Sequence, residues 1–299
     1  MIHPKTPATI VATVLAALLP GALIQTYVFG PGVVINVAVA AGSAAILEML
    51  IARSTRLLRD GSAFLTAALL ALALPPGAPV GLIVLGTLLG LVLGKHVYGE
   101  HDANPFNPAM VGYAALLVAF PASLSTWPAF DGGVDAITGA TPLDVFKHRG
   151  GLTVADLWTQ AHGFGGFGGA RWEWLNAGYL LGGIALLARR VIDWRIPVTV
   201  LGTLLILAAL WYDAGSSSSL GSPFYHWFTG ATMLGAFFVA TDPTTCPSTA
   251  RGRVWFAALL GSALFLIRAT SNYPDGVAFA VLLANAASPL IDQTVGKRA

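Results

Sequence analysis

A polar segment from Asp135 to Thr141 carries the side chains best suited to covalent chemistry, reading Asp-Ala-Ile-Thr-Gly-Ala-Thr. A threonine hydroxyl is a weak nucleophile unless a base activates it, and no local motif supplies one. The sequence therefore predicts that another enzyme attaches a group to Thr141. Gly139 and Ala140 keep the backbone slim enough to enter that enzyme's cleft. Asp135 and Thr138 are the predicted recognition contacts.

The same segment also fits an ordinary turn. Thr141 is followed by Pro142. A threonine hydroxyl commonly caps a helix, and proline is favoured at the first helical position. Spacing alone leaves both interpretations open.

The rest of the chain has the composition of an integral membrane protein. It is 56% hydrophobic and 10% charged over 299 residues, against roughly 25% charged in a soluble domain. The apolar runs do not alternate as barrel strands do, so we predict one all-α membrane domain over residues 1–299. A net charge of +2 gives no indication of nucleic-acid binding. Cys246 is the single cysteine, which excludes an intrachain disulfide and a cysteine-ligated iron–sulfur cluster.

About ten transmembrane helices are predicted, at about 20 residues each and shorter where a helix is broken. The predicted spans are 7–29, 32–52, 62–74, 80–95, 108–121, 173–188, 196–212, 225–241, 254–267 and 276–291. The first span resembles a signal sequence, but the helices that follow favour an uncleaved anchor.

The distribution of basic residues predicts the orientation in a bacterial inner membrane. With both termini cytoplasmic, most basic residues lie inside: Lys5, Arg53, Arg56, Arg59, Lys95, Arg189, Arg190, Arg195, Arg251, Arg253, Lys297 and Arg298. The outer side then holds Lys147, Arg149, Arg171 and Arg268. Residues 122–172, with Thr141, are therefore predicted to form a periplasmic segment.

Weak internal similarity predicts two inverted five-helix repeats with broken helices. Residues 62–76 are similar to 228–243, and residues 104–117 are similar to 272–283. Each pair joins a short helix that ends in proline to a polar segment that starts another helix. Transporters built from inverted repeats place such breaks near the membrane midplane. Alanine- and leucine-rich helices also show this much similarity by chance.

Four strings resemble one family of membrane proteins. Residues 135–141 resemble the signature Asp-x-x-(Ser/Thr)-Gly-Ala-Thr, at which a flavin transferase joins FMN to threonine through a phosphoester. The others are residues 104–113, residues 230–243, and residues 251–253 with 273–283. In this order they are similar to the family that contains the D subunit of the Rnf-type ion-translocating electron transport complex. Its sister branch contains the B subunit of the sodium-pumping NADH:quinone reductase.

The resemblance extends from about Thr6 to Lys297. Pro142 and the short N-terminal region are more similar to the Rnf branch. The segment between Pro121 and the signature is shorter than in some relatives. Because of that difference, the contacts of this loop with partner subunits cannot be carried over from the family. The flavin site is not affected.

The resemblance implies a redox subunit with FMN covalently bound to Thr141. A flavin carries one or two electrons, so the protein need only position and tune it. The implied role is an electron relay within a membrane complex that also contains a periplasmic subunit with covalent FMN. A flavin transferase is implied for maturation, ferredoxin and NAD as end partners of the complex, and sodium or protons as the pumped ion. The end partners are expected to bind other subunits, and no catalytic residue is assigned here.

Members of the family also hold a non-covalent riboflavin within the membrane. We expect it at the break from Asn104 to Asn107. Side-chain amides donate and accept hydrogen bonds, which suits the pyrimidine edge of the flavin ring. Capping of a helix that starts near Pro108 explains the same asparagines equally well.

Four carboxylates lie within or beside predicted spans, where charge is costly and usually functional. They are Glu48, Asp60, Asp242 and Asp275. Hard cations such as sodium favour oxygen ligands, and carbonyls freed by helix breaks supply more of them. We therefore predict an ion path that includes the three aspartates, without a firm metal site. Capping, or pairing with an arginine of residues 251–253, is the alternative.

Structural roles are predicted for the histidines, tryptophans and a glycine-rich loop. His96 and His226 lie near opposite faces, so a bis-histidine haem is disfavoured. The predicted interface anchors are Trp127, Trp158, Trp172 and Trp174. One aromatic near Thr141 is also expected to stack on the flavin. Residues 163–169 read as a flexible loop, because no strand precedes them as in a nucleotide-binding fingerprint.

Two other classes of function compete with the redox relay. An inverted repeat with broken helices also suits a solute channel or transporter. The chain also suits a non-redox membrane anchor for flavoprotein subunits, with Thr141 unmodified. Detection of a bound yellow cofactor would distinguish the redox relay from the channel and from the anchor.

Overall fold

Helices make up most of the structure, a computed structural model that describes residues 6–52, 60–98, 104–128, 138–139, 141–160 and 164–295. The first half contains α1 (Pro7–Phe29), α2 (Gly32–Ala52), α3 (Ser62–Ala73), α4 (Val80–Gly94) and α5 (Pro108–Ala119). Between the halves lie α6 (Pro121–Ser125), α7 (Pro142–Lys147) and α8 (Val154–Gln160). The second half contains α9 (Ala170–Ala188), α10 (Arg195–Leu210), α11 (Pro223–Trp227), α12 (Thr232–Leu234), α13 (Ala250–Thr270) and α14 (Val277–Val295).

The prediction of an all-α membrane protein is confirmed. Five of the described helices are long and apolar enough to cross a membrane, namely Pro7–Phe29, Gly32–Ile51, Val80–Tyr98, Ala250–Thr270 and Val277–Val295. Shorter apolar helices are Ser62–Ala73, Pro108–Ala119 and Arg195–Leu210. The predicted bounds of the first two spans agree with α1 and α2. Elsewhere the helix ends shift by a few residues.

The predicted span 225–241 is wrong as one continuous helix. α11 ends at Trp227, and a π-helical turn, Gly235–Val239, follows α12. Between them Gly230 adopts a left-handed φ of +63°. Glycine tolerates this backbone because it has no Cβ. A Cβ at Gly230 would lie 2.5 Å from Asp275 Oδ2, so a larger residue does not fit.

Local signals explain where several helices start. The Thr6 hydroxyl accepts a hydrogen bond from Thr9 N–H at the start of α1. The Asn107 side chain accepts one from Met110 N–H at the start of α5. Proline follows each cap within the first turn, where its missing N–H costs nothing.

The end of α3 is stabilised by side chains of other helices. Gln25 Nε2 donates to Leu72 O at 3.0 Å, and Asn36 Nδ2 donates to Pro75 O at 2.9 Å. Both amides are buried. They satisfy carbonyls that the interrupted helix leaves free, which is how a break persists away from water.

The same helix pairs pack in both halves. α4 packs on α5 as α13 packs on α14, and α2 packs on α3 and α4 as α10 packs on α11 and α13. α1 and α9 join the halves through very close backbone contact, since Gly182 lies against Ala17 and Gly178 against Gly21. An inverted repeat requires this pattern of contacts, and the repeat itself stays a prediction.

The helix ends form two opposite faces. On one, which we call the Thr141 face, the end of α1 meets the start of α9 and α7, with Phe29 against Trp172. On the other, which we call the Asn107 face, the ends of α2 and α4 meet the starts of α3 and α5. Lys95 there contacts Glu48 and Ser62.

The segment predicted as periplasmic carries short ordered elements on the Thr141 face. Strands β1 (Trp127–Pro128) and β2 (Thr138–Gly139) pair antiparallel, with Trp127 opposite Gly139. The described part of the glycine-rich loop, 164–169, is closed by an isolated bridge between its ends. The Glu173 carboxylate accepts hydrogen bonds from the N–H groups of Phe167 and Gly168, which holds this loop against α9.

Candidate functional site

Thr141 is the cap of α7. Its backbone is extended, with φ −69° and ψ 156°, and its Oγ1 accepts a hydrogen bond from Asp144 N–H at 3.3 Å. Pro142 occupies the first turn. The capping interpretation is therefore confirmed, and the side chain is only 6% exposed. Capping leaves the hydroxyl oxygen as an acceptor, so it does not exclude later esterification.

The rest of the predicted signature is described in part. Asp135 and Ala140 lie outside the described residues. Thr138 and Gly139 form β2, whose backbone pairs with Trp127 and Pro128. This pairing places the backbone of Thr138 and Gly139 beside Trp127.

A small cavity lies beside Thr141 on the inner side of α7. It has a volume of about 40 Å³. Its walls come from both halves and from α7: Gln25, Leu72, Ala73, Tyr113, Trp127, Thr141, Leu143, Trp172, Leu175, Tyr179, Gly230, Ala231, Leu234, Pro274 and Asp275. The structure thus brings Thr141 and Asp275, two residues singled out from the sequence, to one site.

Three aromatic rings form a tight cluster at this site. The ring centroids of Trp127 and Trp172 are 4.9 Å apart, and Phe29 lies 5.3 Å and 5.4 Å from them. Trp127 and Trp172 are buried, so their prediction as interface anchors is wrong. The free energy gained by burying these two large rings between α1, β1 and α9 exceeds the cost of burying their polar N–H groups. Trp174, which is 68% exposed, remains consistent with an anchor.

The residues that line the cavity include one with an unsatisfied donor, Trp172, and one carboxylate, Asp275. Trp172 Nε1 is buried and has no hydrogen-bond partner among the described residues. Leaving such a donor unpaired costs about 1–3 kcal/mol. Gln25, in contrast, is fully engaged by Tyr179 Oη and Leu72 O. The site therefore suits a group that accepts a hydrogen bond from Trp172.

Asp275 is ion-paired, but not with the predicted arginines. Its carboxylate lies 2.9 Å from Arg268 Nη2. Arg253 instead binds Asp193 at 2.7 Å. No sequence pattern indicated Arg268, because its partner lies across a turn and depends on how α13 and α14 pack.

The Asn107 face gathers the second set of predicted residues. Asn107 N–H donates to Asn285 Oδ1 at 3.0 Å, and Asn107 Nδ2 donates to Asp242 Oδ2 at 3.3 Å. Asn104 Nδ2 contacts Thr244 Oγ1 at 3.4 Å. Asn285, buried in α14, is a residue that sequence reasoning missed. Its position as a lone amide within an apolar helix was the sequence signal that could have identified it.

Glu48 forms a second polar cluster on this face. It is fully buried, with Lys95 Nζ at 2.8 Å and His96 Nε2 at 3.1 Å from Oε1. Its Oε2 has no hydrogen-bond partner among the described residues. Lys95 also donates to Ser62, whose N–H and hydroxyl bind Asp60. Asp60 therefore binds the first residue of α3 and joins Glu48 through Ser62 and Lys95.

A wider polar groove of about 460 Å³ lies on the other side of α7. Lys147 and Arg149 line it, and burial lowers the pKa of both side chains. Arg149 donates to carbonyls at Phe146, Leu152 and residues 217–219. Its charge is thus used to tie α7 to the loop before α11. Within the described ranges, no group of three or more His, Cys, Asp or Glu side chains could hold a metal ion.

The fold and site together define a multi-pass, all-α membrane protein with a buried threonine beside an aromatic cavity. The family described as NQR2, RnfD, RnfE matches residues 2–299. The chain belongs to this family, which confirms the resemblance found in the sequence.

Curated relatives cover most of the chain, and each is named as the D subunit of an ion-translocating oxidoreductase complex. The one from Cellvibrio japonicus (strain Ueda107) is 43% identical over 93% of this chain and 86% of its own length. The one from Pseudomonas aeruginosa (strain UCBPP-PA14) is 44% identical over 96% and 90%. The one from Vibrio vulnificus (strain YJ016) is 42% identical over 92% and 89%.

Proposed function

We propose that this chain is a membrane subunit of an ion-translocating oxidoreductase complex and relays electrons through FMN, joined by a phosphoester to Thr141. The observation that carries the proposal is the cavity that Thr141 lines together with Trp127 and Trp172, whose buried Nε1 has no hydrogen-bond partner among the described residues. The relatives' names supply the class of complex.

The residues around Thr141 fit the phosphate and one edge of a flavin. Phosphoester oxygens retain acceptor capacity for Asp144 N–H, and Trp172 Nε1 offers a donor to a flavin acceptor. The cavity of about 40 Å³ is far smaller than the roughly 300 Å³ at which cofactor pockets begin. A flavin on Thr141 would therefore lie mainly outside this cavity, and Trp127 and Trp172 would exclude water from the wall beside it. When bound, the flavin supplies one- or two-electron transfer.

Burial of Thr141 constrains when the flavin is attached. The side chain is 6% exposed, and α7 packs over it. A transferase has to reach Oγ1 from solvent, so it acts while Thr141 and α7 are undocked. The remaining signature residues, Asp135, Thr138, Gly139 and Ala140, then serve as its recognition contacts. Docking of α7 afterwards closes the site.

The proposal is tested by denaturing electrophoresis of the chain expressed with a flavin transferase. A fluorescent band near 31.0 kDa and a peptide mass that includes 135–141 plus FMN are expected. A dark band at normal abundance would contradict the relay and favour the channel or the anchor. Ligand-dependent uptake by the purified chain alone in vesicles would then separate those two.

A non-covalent riboflavin near Asn104 and Asn107 is a weaker part of the proposal. Asn107 Oδ1 accepts from Met110 N–H at the start of α5, and its Nδ2 donates to Asp242, so both ends of this amide already have a structural partner. The contacts of Asn104 are long, at 3.3 Å and 3.4 Å, so its amide is the one free to turn toward a ligand. The geometry favours capping for Asn107.

Ion translocation, of sodium or protons, is proposed to involve carboxylates on both faces. Asp60 and Asp242 lie on the Asn107 face, and Asp275 lies on the Thr141 face. Glu48 is the most deeply buried of the four. An unpaired carboxylate oxygen in a low-dielectric site gains strongly from a proton or cation.

Glutamine at position 48 keeps the shape of glutamate and removes its charge. We expect Glu48→Gln to lower ion transport by the assembled complex in vesicles at least about tenfold, or about 1.4 kcal/mol. Omitting sodium from the buffer separates sodium from proton transport. The control is Asp213→Asn, an exposed carboxylate bound to Ser216 and Ser218, which should leave transport unchanged. Wild-type transport in Glu48→Gln would remove Glu48 from the path.

The proposed orientation places the Thr141 face in the periplasm and both termini in the cytoplasm of the inner membrane. Thiol labelling tests it after Cys246→Ser removes the native cysteine. His148, whose side chain is 65% exposed, is replaced by cysteine on the Thr141 face. We expect a membrane-impermeant maleimide to label this cysteine when it is admitted to the periplasm of intact cells. Cysteine at the exposed Arg251, on the other face, should be labelled only after lysis, and the reverse pattern would invert the topology.

The proposed partners are the other membrane subunits, a periplasmic subunit that carries its own covalent FMN, and the flavin transferase. Electrons reaching Thr141 from the periplasmic side then have a short route into the membrane domain.

A further inference from the structure

A buried ion pair stands between the cavity beside Thr141 and the broken helix of the second half. The Arg268 side chain is 1% exposed, and the Asp275 side chain is 15% exposed. Arg268 Nε donates to Asp275 Oδ1 at 3.0 Å, and Nη2 lies 2.9 Å from the same oxygen. Neither residue has an assigned role in the relay proposed above beyond the proposed ion path through Asp275.

The pair binds the backbone groups that the helix break releases. Arg268 Nη1 donates to His226 O at 2.9 Å, and Nη2 donates to Thr229 O at 3.2 Å. Asp275 Oδ2 accepts the N–H of Ala231 at 2.8 Å. A Cβ at Gly230 would lie 2.5 Å from Asp275 Oδ2 and 2.8 Å from Arg268 Nη2. The left-handed glycine therefore lets both charged side chains reach the break.

The negative member of the pair faces the proposed redox site. Asp275 lines the cavity with Thr141, whereas Arg268 lies behind it and lines the groove on the other side of α7. Charges interact strongly where water is excluded. An uncompensated carboxylate at this wall opposes the addition of electrons to a neighbouring group. With Arg268 in place, its positive charge offsets part of this effect.

We propose that the Arg268–Asp275 pair sets the reduction potential of the redox group on Thr141, with Arg268 as a positioning residue that acts through Asp275. The inference rests on the proposed function. Removing the charge of Arg268 leaves the negative charge of Asp275 uncompensated and lowers the reduction potential. Removing the charge of Asp275 leaves the positive charge of Arg268 uncompensated and raises it.

The test is a redox titration, followed by flavin absorbance, of the full-length chain purified with its covalent flavin. We expect Arg268→Gln to shift the midpoint potential to lower values and Asp275→Asn to higher values. The double variant should return close to wild type, because it carries neither charge and the opposite shifts of the single variants cancel. In-gel fluorescence confirms that each variant carries the flavin.

The matched control is Arg253→Gln. Arg253 belongs to the same helix, α13, and also binds an aspartate, Asp193, at 2.7 Å. It lies roughly 22 Å along the helix from Arg268, by the rise per residue. This variant should leave the potential unchanged.

The outcomes are distinguishable from failure of the proposed function. A wild-type chain without flavin overturns the relay and this inference together. A flavin-bearing chain whose potential does not move, or moves in the same direction in both single variants, overturns the inference alone. Asp275→Asn nearly preserves the shape of the side chain. It therefore still shows the direction in which the midpoint potential shifts if Arg268→Gln does not accumulate. Failure of all three variants while Arg253→Gln folds makes the pair purely structural and also overturns it.

Discussion

Replacing Thr141 by alanine is expected to abolish the covalent flavin, because the attachment oxygen is removed. Thr141→Ser retains a hydroxyl and should remain fluorescent. The measurement is in-gel flavin fluorescence, normalised to the amount of chain in the band. The expected change is complete loss in alanine and at least partial retention in serine. Fluorescence of wild-type intensity in Thr141→Ala would place the flavin elsewhere.

Loss of the helix cap has to be separated from loss of the attachment oxygen. Thr153 provides the control, because its Oγ1 accepts from Asp156 N–H at 3.1 Å and caps α8 on the same face. Removing either cap is expected to cost about 1 kcal/mol. Thr153→Ala should therefore lose similar stability and keep its fluorescence. Equal loss of fluorescence in both variants would mean that folding of this segment, and not the hydroxyl, decides attachment.

Adding one methyl group at Gly182 is expected to disrupt the packing of the two halves. A Cβ there would lie 1.9 Å from Ala17 O and 3.1 Å from Phe238 Cζ. A backbone oxygen cannot move aside as a flexible side chain can, so α1 and α9 must separate. Overpacking typically costs 1–3 kcal/mol, and we expect Gly182→Ala to reach at least about 3 kcal/mol. Thermal unfolding in detergent, followed by size-exclusion chromatography, measures the loss.

Gly42→Ala is the matched control for this prediction. Gly42 is also a helical glycine, in α2, but a Cβ at this position meets nothing within 4 Å. Alanine is favoured over glycine in a helix by about 1 kcal/mol. Gly42→Ala should therefore be neutral or slightly more stable than wild type. An unchanged melting temperature in Gly182→Ala would show that the α1–α9 contact is looser than the structure describes.

Burial also changes how the threonine of the signature is understood. Helix capping and flavin attachment were alternative interpretations of the residues around Thr141, and the structure places the hydroxyl in a cap. On the proposed function, both roles would use the same oxygen at different stages. The cap is present in the unmodified chain, and phosphoester oxygens would replace the hydroxyl as acceptors after modification.

Features that depend on near neighbours were predictable from the sequence. The start of α1 at Pro7, the caps at Asn107 and Thr141, and the all-α class follow from apolar run length and from caps that act within a few residues. The signature around Thr141 and the family follow from strings of adjacent residues, and the family is confirmed by comparison. The flavin itself stays a prediction.

Features that depend on distant residues were decided by the tertiary structure. The break at Gly230 exists because Arg268 and Asp275 bind backbone groups far away in the chain, which no local pattern records. Trp172 is buried because Phe29 and β1 pack on it, although its position near a helix start predicted an interface anchor. Helix caps and apolar run lengths depend on residues that are close in sequence. Charge pairing and ring packing join residues that are distant in sequence. Only folding brings their partners within reach.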